Sequence, residues 1–129
     1  MKDLNLIIVR GLPNAGKTTF ASLLGKAICS ADDYFMINGE YKWTETKIGT
    51  AHKWCQRKCE LFLKYKISTV IVANTNVRKN DLEPYFKLAS NYGYNVTSVI
   101  LENYHENKNV HSVPDEDVQN MKDRFEIQL

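Results

Sequence analysis

Gly11-Leu12-Pro13-Asn14-Ala15-Gly16-Lys17-Thr18 reads G-x-x-x-x-G-K-T, a spacing that can hold phosphate. Gly11 and Gly16 permit the tight turn that aims successive backbone N–H groups at one anion. A helix following the loop adds its unpaired N–H groups and its positive dipole end. Lys17 can reach β- and γ-phosphate oxygens, and the Thr18 hydroxyl can ligate Mg²⁺. Pro13, Asn14, Ala15 and Thr19 complete the stretch expected around ATP. The adjacent carboxylates Asp32 and Asp33 are a second candidate. Asp32 suits a base that takes a proton from an attacking hydroxyl, and Asp33 a group that orients Mg²⁺-bound water or braces its neighbour. Such a pair can also cap a helix or make a turn. Asn74-Thr75-Asn76 can orient water, phosphate or acceptor, or simply form a turn.

These residues need strands that end and helices that begin at one place. Residues 4–9 are an almost continuous apolar run, as in a strand buried on both faces. Phe20, Leu23, Leu24 and Ala27 then recur at helical spacing. Residues 27–30 predict a brief second strand with Asp32 and Asp33 at its C-terminal end, where an open parallel sheet places ligands. Asn38-Gly39 signals a turn, so a loop or small excursion is expected over 34–41. Ile48, Ala51, Cys55, Cys59 and Phe62 predict a helix over 44–65 with one buried stripe. Lys53, Arg57 and Lys64 fall on another side, either a solvated face or a phosphate-contacting surface.

Residues 67–73 are β-branched and read as a strand. Residues 80–92 read as a helix, with Asn80 and Glu83 in capping-box spacing, Pro84 in the first turn and Gly93 as the stop. Its packing residues would be Tyr85, Phe86, Leu88, Ala89 and Tyr92. A strand over 94–101 follows, then a polar segment. Pro114 opens a last helix with Asp115, Glu116 and Asp117 at its positive end. Phe125, Ile127 and Leu129 alternate as in a short strand. Alternating strands and helices predict an α/β layered fold with a mainly parallel sheet.

At 129 residues, the chain fits one domain over 1–129. A net charge of +2 neither demands nor excludes nucleic acid. Its distribution is uneven: seven basic residues lie between Lys42 and Lys66, against Glu45 and Glu60. Cys29, Cys55 and Cys59 form no C-x-x-C pair, so no disulfide framework is expected. Cys55 and Cys59 suit core filling on a helix rather than metal binding. No apolar run is long enough to span a membrane and there is no signal peptide, so a cytoplasmic protein without a membrane partner is expected.

Four pieces occur in order: Gly11-x-Pro13-x-x-Gly16-Lys17-Thr18-Thr19-Phe20-Ala21, Ser30-Ala31-Asp32-Asp33-Tyr34-Phe35, Asn74-Thr75-Asn76, and Val113-Pro114 before a helix with Met121. Together they resemble the polynucleotide-kinase-like branch of P-loop kinases, especially small ATP-binding proteins common in phages. The likeness covers nearly the whole chain. It implies a three-layer P-loop NTPase fold around a mainly parallel central sheet. It also implies transfer of the ATP γ-phosphate to a hydroxyl, in the best-known members the 5′-hydroxyl of a nucleic acid. For a phage protein the location would be the host cytoplasm. By resemblance, Lys17 and Thr18 hold nucleotide and metal, and Asp32 is the general base. His52 falls in an Ala-His-x-Trp segment resembling one near the acceptor site, although a histidine on a packed helix also reads as structural.

Two departures stand out. Family members often have aspartate where Asn74 stands. Full-length relatives carry arginines in a lid before the Val-Pro motif, whereas residues 102–114 hold His105, Lys108 and His111 and no arginine. Lys108 could supply a point charge but not a bidentate fork. Arg78 and Lys79 follow a different strand. In the kinase reading, the basic segment with Tyr41, Trp43 and Trp54 receives a nucleic-acid or nucleotide-like acceptor by stacking and phosphate neutralisation. His52, Arg57, Asn74, Asn76 and Lys108 are its candidate contacts, and Trp43 and Trp54 also suit a core. A kinase of a small metabolite or nucleoside would use the same Lys17, Thr18 and Asp32. An ATP-gated binding module would have no need of a positioned base.

Overall fold

The computed structural model describes residues 3–12, 15–37, 39–42, 45–75 and 79–102. In chain order the elements are β1 (Asn5–Gly11), α1 (Lys17–Leu24), β2 (Ala27–Cys29), a 3₁₀ turn (Ala31–Phe35), β3 (Met36–Ile37) and β4 (Glu40–Tyr41). A second 3₁₀ turn (Glu45–Lys47), α2 (Ile48–Lys64), β5 (Thr69–Ala73), α3 (Lys79–Tyr92) and β6 (Asn95–Leu101) follow. Four strands form a wholly parallel sheet in the order β2-β5-β1-β6. Strand β1 is central, with Asn5 opposite both Thr69 and Asn95.

Alternation along the central strands divides the core into two layers. Leu6, Ile8, Val70 and Val72 face α2 and α3, where Ala51, Cys55, Cys59, Leu63, Leu82, Tyr85 and Ala89 fill the space. Val9, Ile71 and Ala73 face the other way, against Ala21 of α1, with Phe20 and Ile28 at the margin. Helices on both faces of a parallel sheet make a three-layer α/β fold, as the alternating elements predict. Among the described residues, no helix is long and apolar enough to cross a membrane.

Local chemistry explains where elements stop. Helix α2 ends with Lys66 at φ 59, Lys66 N–H donating to Leu63 O and Ile67 N–H to Phe62 O. That left-handed closure is usually made by glycine. Lys66 is held there by its ammonium, which donates to Tyr92 O at 2.6 Å and lies over the Tyr92 and Tyr94 rings. Ile67 is therefore part of the cap, and the strand expected from 67 starts at Thr69. Gly93, at φ 76, ends α3 as expected, with Tyr94 N–H donating to Ala89 O.

Several sequence expectations are corrected. Helix α1 meets the sheet through Ala21, and Leu23 is 79% exposed. The helix has only eight residues and stops at Gly25, so Ala27 belongs to β2. Gly25 lies so close to the sheet that a Cβ there would stand 3.2 Å from Ile71 Cδ1, a tight approach that Ile71 would have to yield to. Met36–Ile37 and Glu40–Tyr41 pair as the antiparallel β3–β4 hairpin, a small excursion with Gly39, at φ 81, where a turn is expected. Helix α3 starts at Lys79, which places Asn80 inside the helix and Pro84 in its second turn. Leu82 takes the core position, and Phe86 is partly exposed. The expected helix after Pro114 and the strand at Phe125–Leu129 lie outside the described residues.

Candidate active site

The loop after β1 is built as its spacing demands. Gly11 is buried, and a Cβ there would stand 3.0 Å from Leu101 O and 3.1 Å from Ala15 Cβ. Ala15 N–H donates to Leu12 O at 3.1 Å, closing the turn. Gly16 takes φ 89 and ψ 23, a conformation that L side chains resist, and is the N-cap of α1. Among the described residues, no side chain caps that helix end. The first intrahelical bond runs from Phe20 N–H to Gly16 O, so the N–H groups of Lys17, Thr18 and Thr19 have no partner within the helix. The Thr18 and Thr19 side chains are exposed beside them. A loop of this shape can hold an anion.

Asp32 and Asp33 sit in the 3₁₀ turn that leaves β2, at the same end of the sheet as the loop. Asp32 is half-buried and Asp33 exposed, with Asp33 N–H donating to Ser30 O at 3.1 Å. The turn is held from behind. Ala31 N–H donates to Asn74 Oδ1 at 2.8 Å, and Asn74 Nδ2 lies 3.5 Å from Cys55 Sγ and 3.4 Å from Tyr85 Oη. Tyr85 Oη in turn lies 3.3 Å from Cys55 Sγ. Asn74 is 5% exposed. Its amide, expected to touch an acceptor or make a turn, instead ties β5, α2 and α3 to the segment bearing Asp32.

The charges converge. Burial pulls the Lys17 ammonium down from its ordinary value to about 8, and the Asp32 carboxylate opposes that shift. In this conformation Lys17 Nζ donates to Leu12 O at 2.9 Å. Burial also lowers the His52 pKa, with Asp81 and Asp32 acting the other way. Asp32 is thus within electrostatic reach of the loop lysine and of His52 on α2. Thr18 and Asp33 offer exposed hydroxyl and carboxylate oxygens, the donor types Mg²⁺ accepts when phosphate and water supply the rest. Among the described residues, no cluster of three or more acidic, histidine or cysteine side chains forms a protein-only metal cage. The donor set therefore fits a Mg²⁺ shared with nucleotide.

Arg57 and Lys53 are exposed on the flank of α2 that faces α3. Trp54 is half-buried on the other flank, its ring 5.9 Å from that of Tyr34 with Lys58 Nζ 5.4 Å above it, so it packs as a core-edge residue. Pro13, Asn14, Trp43, Asn76, Arg78, His105, Lys108, His111 and the Val113-Pro114 motif lie outside the described residues. Three buried partners escaped the sequence reading: Cys55 and Tyr85, which brace Asn74, and Arg10, which is fully buried one residue before Gly11. Arg10 continues the alternation of Leu6 and Ile8, and a charge at that register was the available signal.

A protein family described as an AAA domain matches residues 6–127. NEDD4-binding protein 2 of Homo sapiens is 38% identical over 96 residues, a match covering 70% of this chain and 5% of that protein. The chain thus corresponds to a small part of that relative. The Pnkp1/Rnl/Hen1 complex contains a chain with a TM-score of 0.60 and 18% identity, covering 89% of this chain and 44% of the other. APS kinase CysC of Mycobacterium tuberculosis gives a TM-score of 0.55 at 15% identity, covering 95% of this chain and 97% of the other. At such identities the two structures show a shared fold.

Proposed function

The chain belongs to this AAA domain family and has the fold of P-loop kinases, and from that premise we propose that it transfers the ATP γ-phosphate to a hydroxyl, specifically the 5′-hydroxyl of a polynucleotide. The observation that supports this best is the approach of Lys17 and Asp32 from different strand ends. A nucleotide-binding module needs the first of these and has no use for the second.

In this reading the N–H groups of Gly16, Lys17, Thr18 and Thr19 cradle the phosphates, with Ala15 and Gly11 allowing the close approach. Lys17 leaves Leu12 O for the β- and γ-phosphate oxygens, where its charge offsets charge in the transition state. Thr18 and Asp33 would hold Mg²⁺, which when bound supplies further neutralisation of phosphate charge. Asp32 takes the acceptor hydroxyl proton as the acceptor oxygen bonds to the γ-phosphorus and ADP departs. Asn74 fixes the turn bearing Asp32 and does not touch the acceptor. The exposed cations Lys53 and Arg57 on α2 favour a polyanionic acceptor over a small neutral one.

The test is transfer of labelled γ-phosphate from ATP to a 5′-hydroxyl oligonucleotide with Mg²⁺, comparing wild type with Asp32→Asn. Transfer that vanishes in the variant supports the reading and the role of Asp32. Binding of ATP without transfer to any oligonucleotide overturns the polynucleotide assignment and directs the search to small acceptors.

A further inference from the structure

Helices α2 and α3 leave between them an open groove of about 470 Å³, lined by Lys53, Gln56, Arg57, Glu60, Pro84 and Leu88. Its one anion is engaged, because Tyr92 Oη donates to a Glu60 carboxylate oxygen at 3.2 Å. Its two cations are exposed, and neither has an ion-pair or hydrogen-bond partner among the described residues. Lys53 and Arg57 are also four residues apart on one helix, where like charges repel. An anion lying between them would remove that repulsion. The groove therefore presents cations, one amide and a partly apolar floor.

Its position matters as much as its charge. His52 stands next to Lys53 and lies within the field of Asp32. From there α2 runs away from the candidate base, and a rise of 1.5 Å per residue puts Arg57 about 8 Å further along the axis. We propose that this groove is the track for the acceptor strand downstream of its 5′-hydroxyl. With that hydroxyl at Asp32, the first phosphodiester linkages lie against Lys53 and Arg57, and Gln56 donates its amide hydrogens. Pro84 and Leu88 meet the apolar faces of sugar or base. The proposal rests on the polynucleotide reading and adds a length requirement to it: a nucleoside 3′-phosphate reaches Asp32 without filling the groove.

The experiment compares kcat/KM for a nucleoside 3′-phosphate and for 5′-hydroxyl single strands of two to eight nucleotides, with wild type and the double variant Lys53→Glu, Arg57→Glu. A parallel arm follows fluorescence anisotropy of a labelled single strand across a salt series, without turnover. The longer strands should gain about tenfold or more over the 3′-phosphate, and charge reversal should bring that ratio toward one. The slope of log affinity against log salt should fall by about 1.4 in magnitude, as for two lost single-strand phosphate contacts. Turnover of the 3′-phosphate with no gain from length overturns the groove and leaves the kinase reading standing. If no acceptor is phosphorylated, the kinase reading fails and the binding arm still decides: an unchanged slope overturns the groove.

Discussion

The side-chain carbonyl oxygen of Asn74 accepts the Ala31 backbone N–H at 2.8 Å, and through that bond the end of β5 holds the turn bearing Asp32. Among the described strands β2 lies at the sheet edge and is only three residues long, so this bond from the end of β5 is a main tie on that turn. Asn74→Ala would leave Ala31 N–H without its buried acceptor and the Tyr85 hydroxyl with Cys55 Sγ alone, a cost of about 1–3 kcal/mol in stability. Thermal unfolding should show the loss, and turnover should fall more than ATP affinity. Tyr85→Phe keeps the Asn74–Ala31 bond and should do less harm on both counts.

Lys17 gives a pH signature. Its folded pKa is lowered from 10.5 to about 8, so between those values the unfolded chain holds a proton that the folded chain has released. Stability from this group therefore rises with pH across that window, and the desolvation cost is fully present below it. The difference in unfolding free energy between wild type and Lys17→Met should change only there. Phosphate oxygens would restore the charge, so ATP binding at about pH 9 should take up a proton. Calorimetry in buffers of different ionisation enthalpy measures that uptake.

Cys29, Cys55 and Cys59 are fully buried on the α2 side of the sheet. Burial pushes the Cys55 thiol up to about 11, and Cys29 is raised by its contact with Cys59 and by burial. A thiol that stays protonated and covered does not react. An aromatic disulfide reagent at about pH 8 should find no reactive thiol in the folded protein and all three after denaturation. One fast-reacting cysteine in the native state would show that this layer opens.

The two loop glycines should fail differently. At Gly16 an added Cβ meets nothing within 4 Å, so Gly16→Ala acts only through its φ of 89. The left-handed conformation costs an L residue about 1–2 kcal/mol, and relaxation of the loop should weaken ATP binding. At Gly11 the obstacle is a backbone oxygen, Leu101 O, that a side-chain rotation cannot clear. Gly11→Ala should therefore lower Tm by displacing β1 from β6. Paired measurements of Tm and ATP affinity separate the two.

What the sequence revealed was whatever repeats locally. The apolar run of β1, the β-branched β5 and the stripe Ala51, Cys55, Cys59 each announce their element, and Leu6, Ile8, Val9, Val70, Ile71, Val72 and the three stripe residues are buried. The strand–turn–helix around Gly11 and Gly16 was legible because glycine spacing and its context lie within one short segment. Helix α1 misled because its loop and the tight Gly25 contact set which face meets the sheet, so Ala21 rather than Leu23 is buried. The bracing role of Asn74 was not legible for a related reason. Its partners Ala31, Cys55 and Tyr85 come from three other elements, and no local pattern records that meeting. The α2–α3 groove likewise exists only once both helices are docked.

Strand β1 pairs on one side with residues from Thr69 onward and on the other with residues from Asn95 onward. During synthesis, the phosphate loop thus emerges long before either neighbour that will flank its strand. Loop closures of that length make productive folding slow and leave an apolar strand exposed in the interval. Truncation within β5 or β6 should abolish nucleotide binding even though every residue of the loop is present. Chaperone dependence would then follow from strand order, independently of how stable the finished protein is.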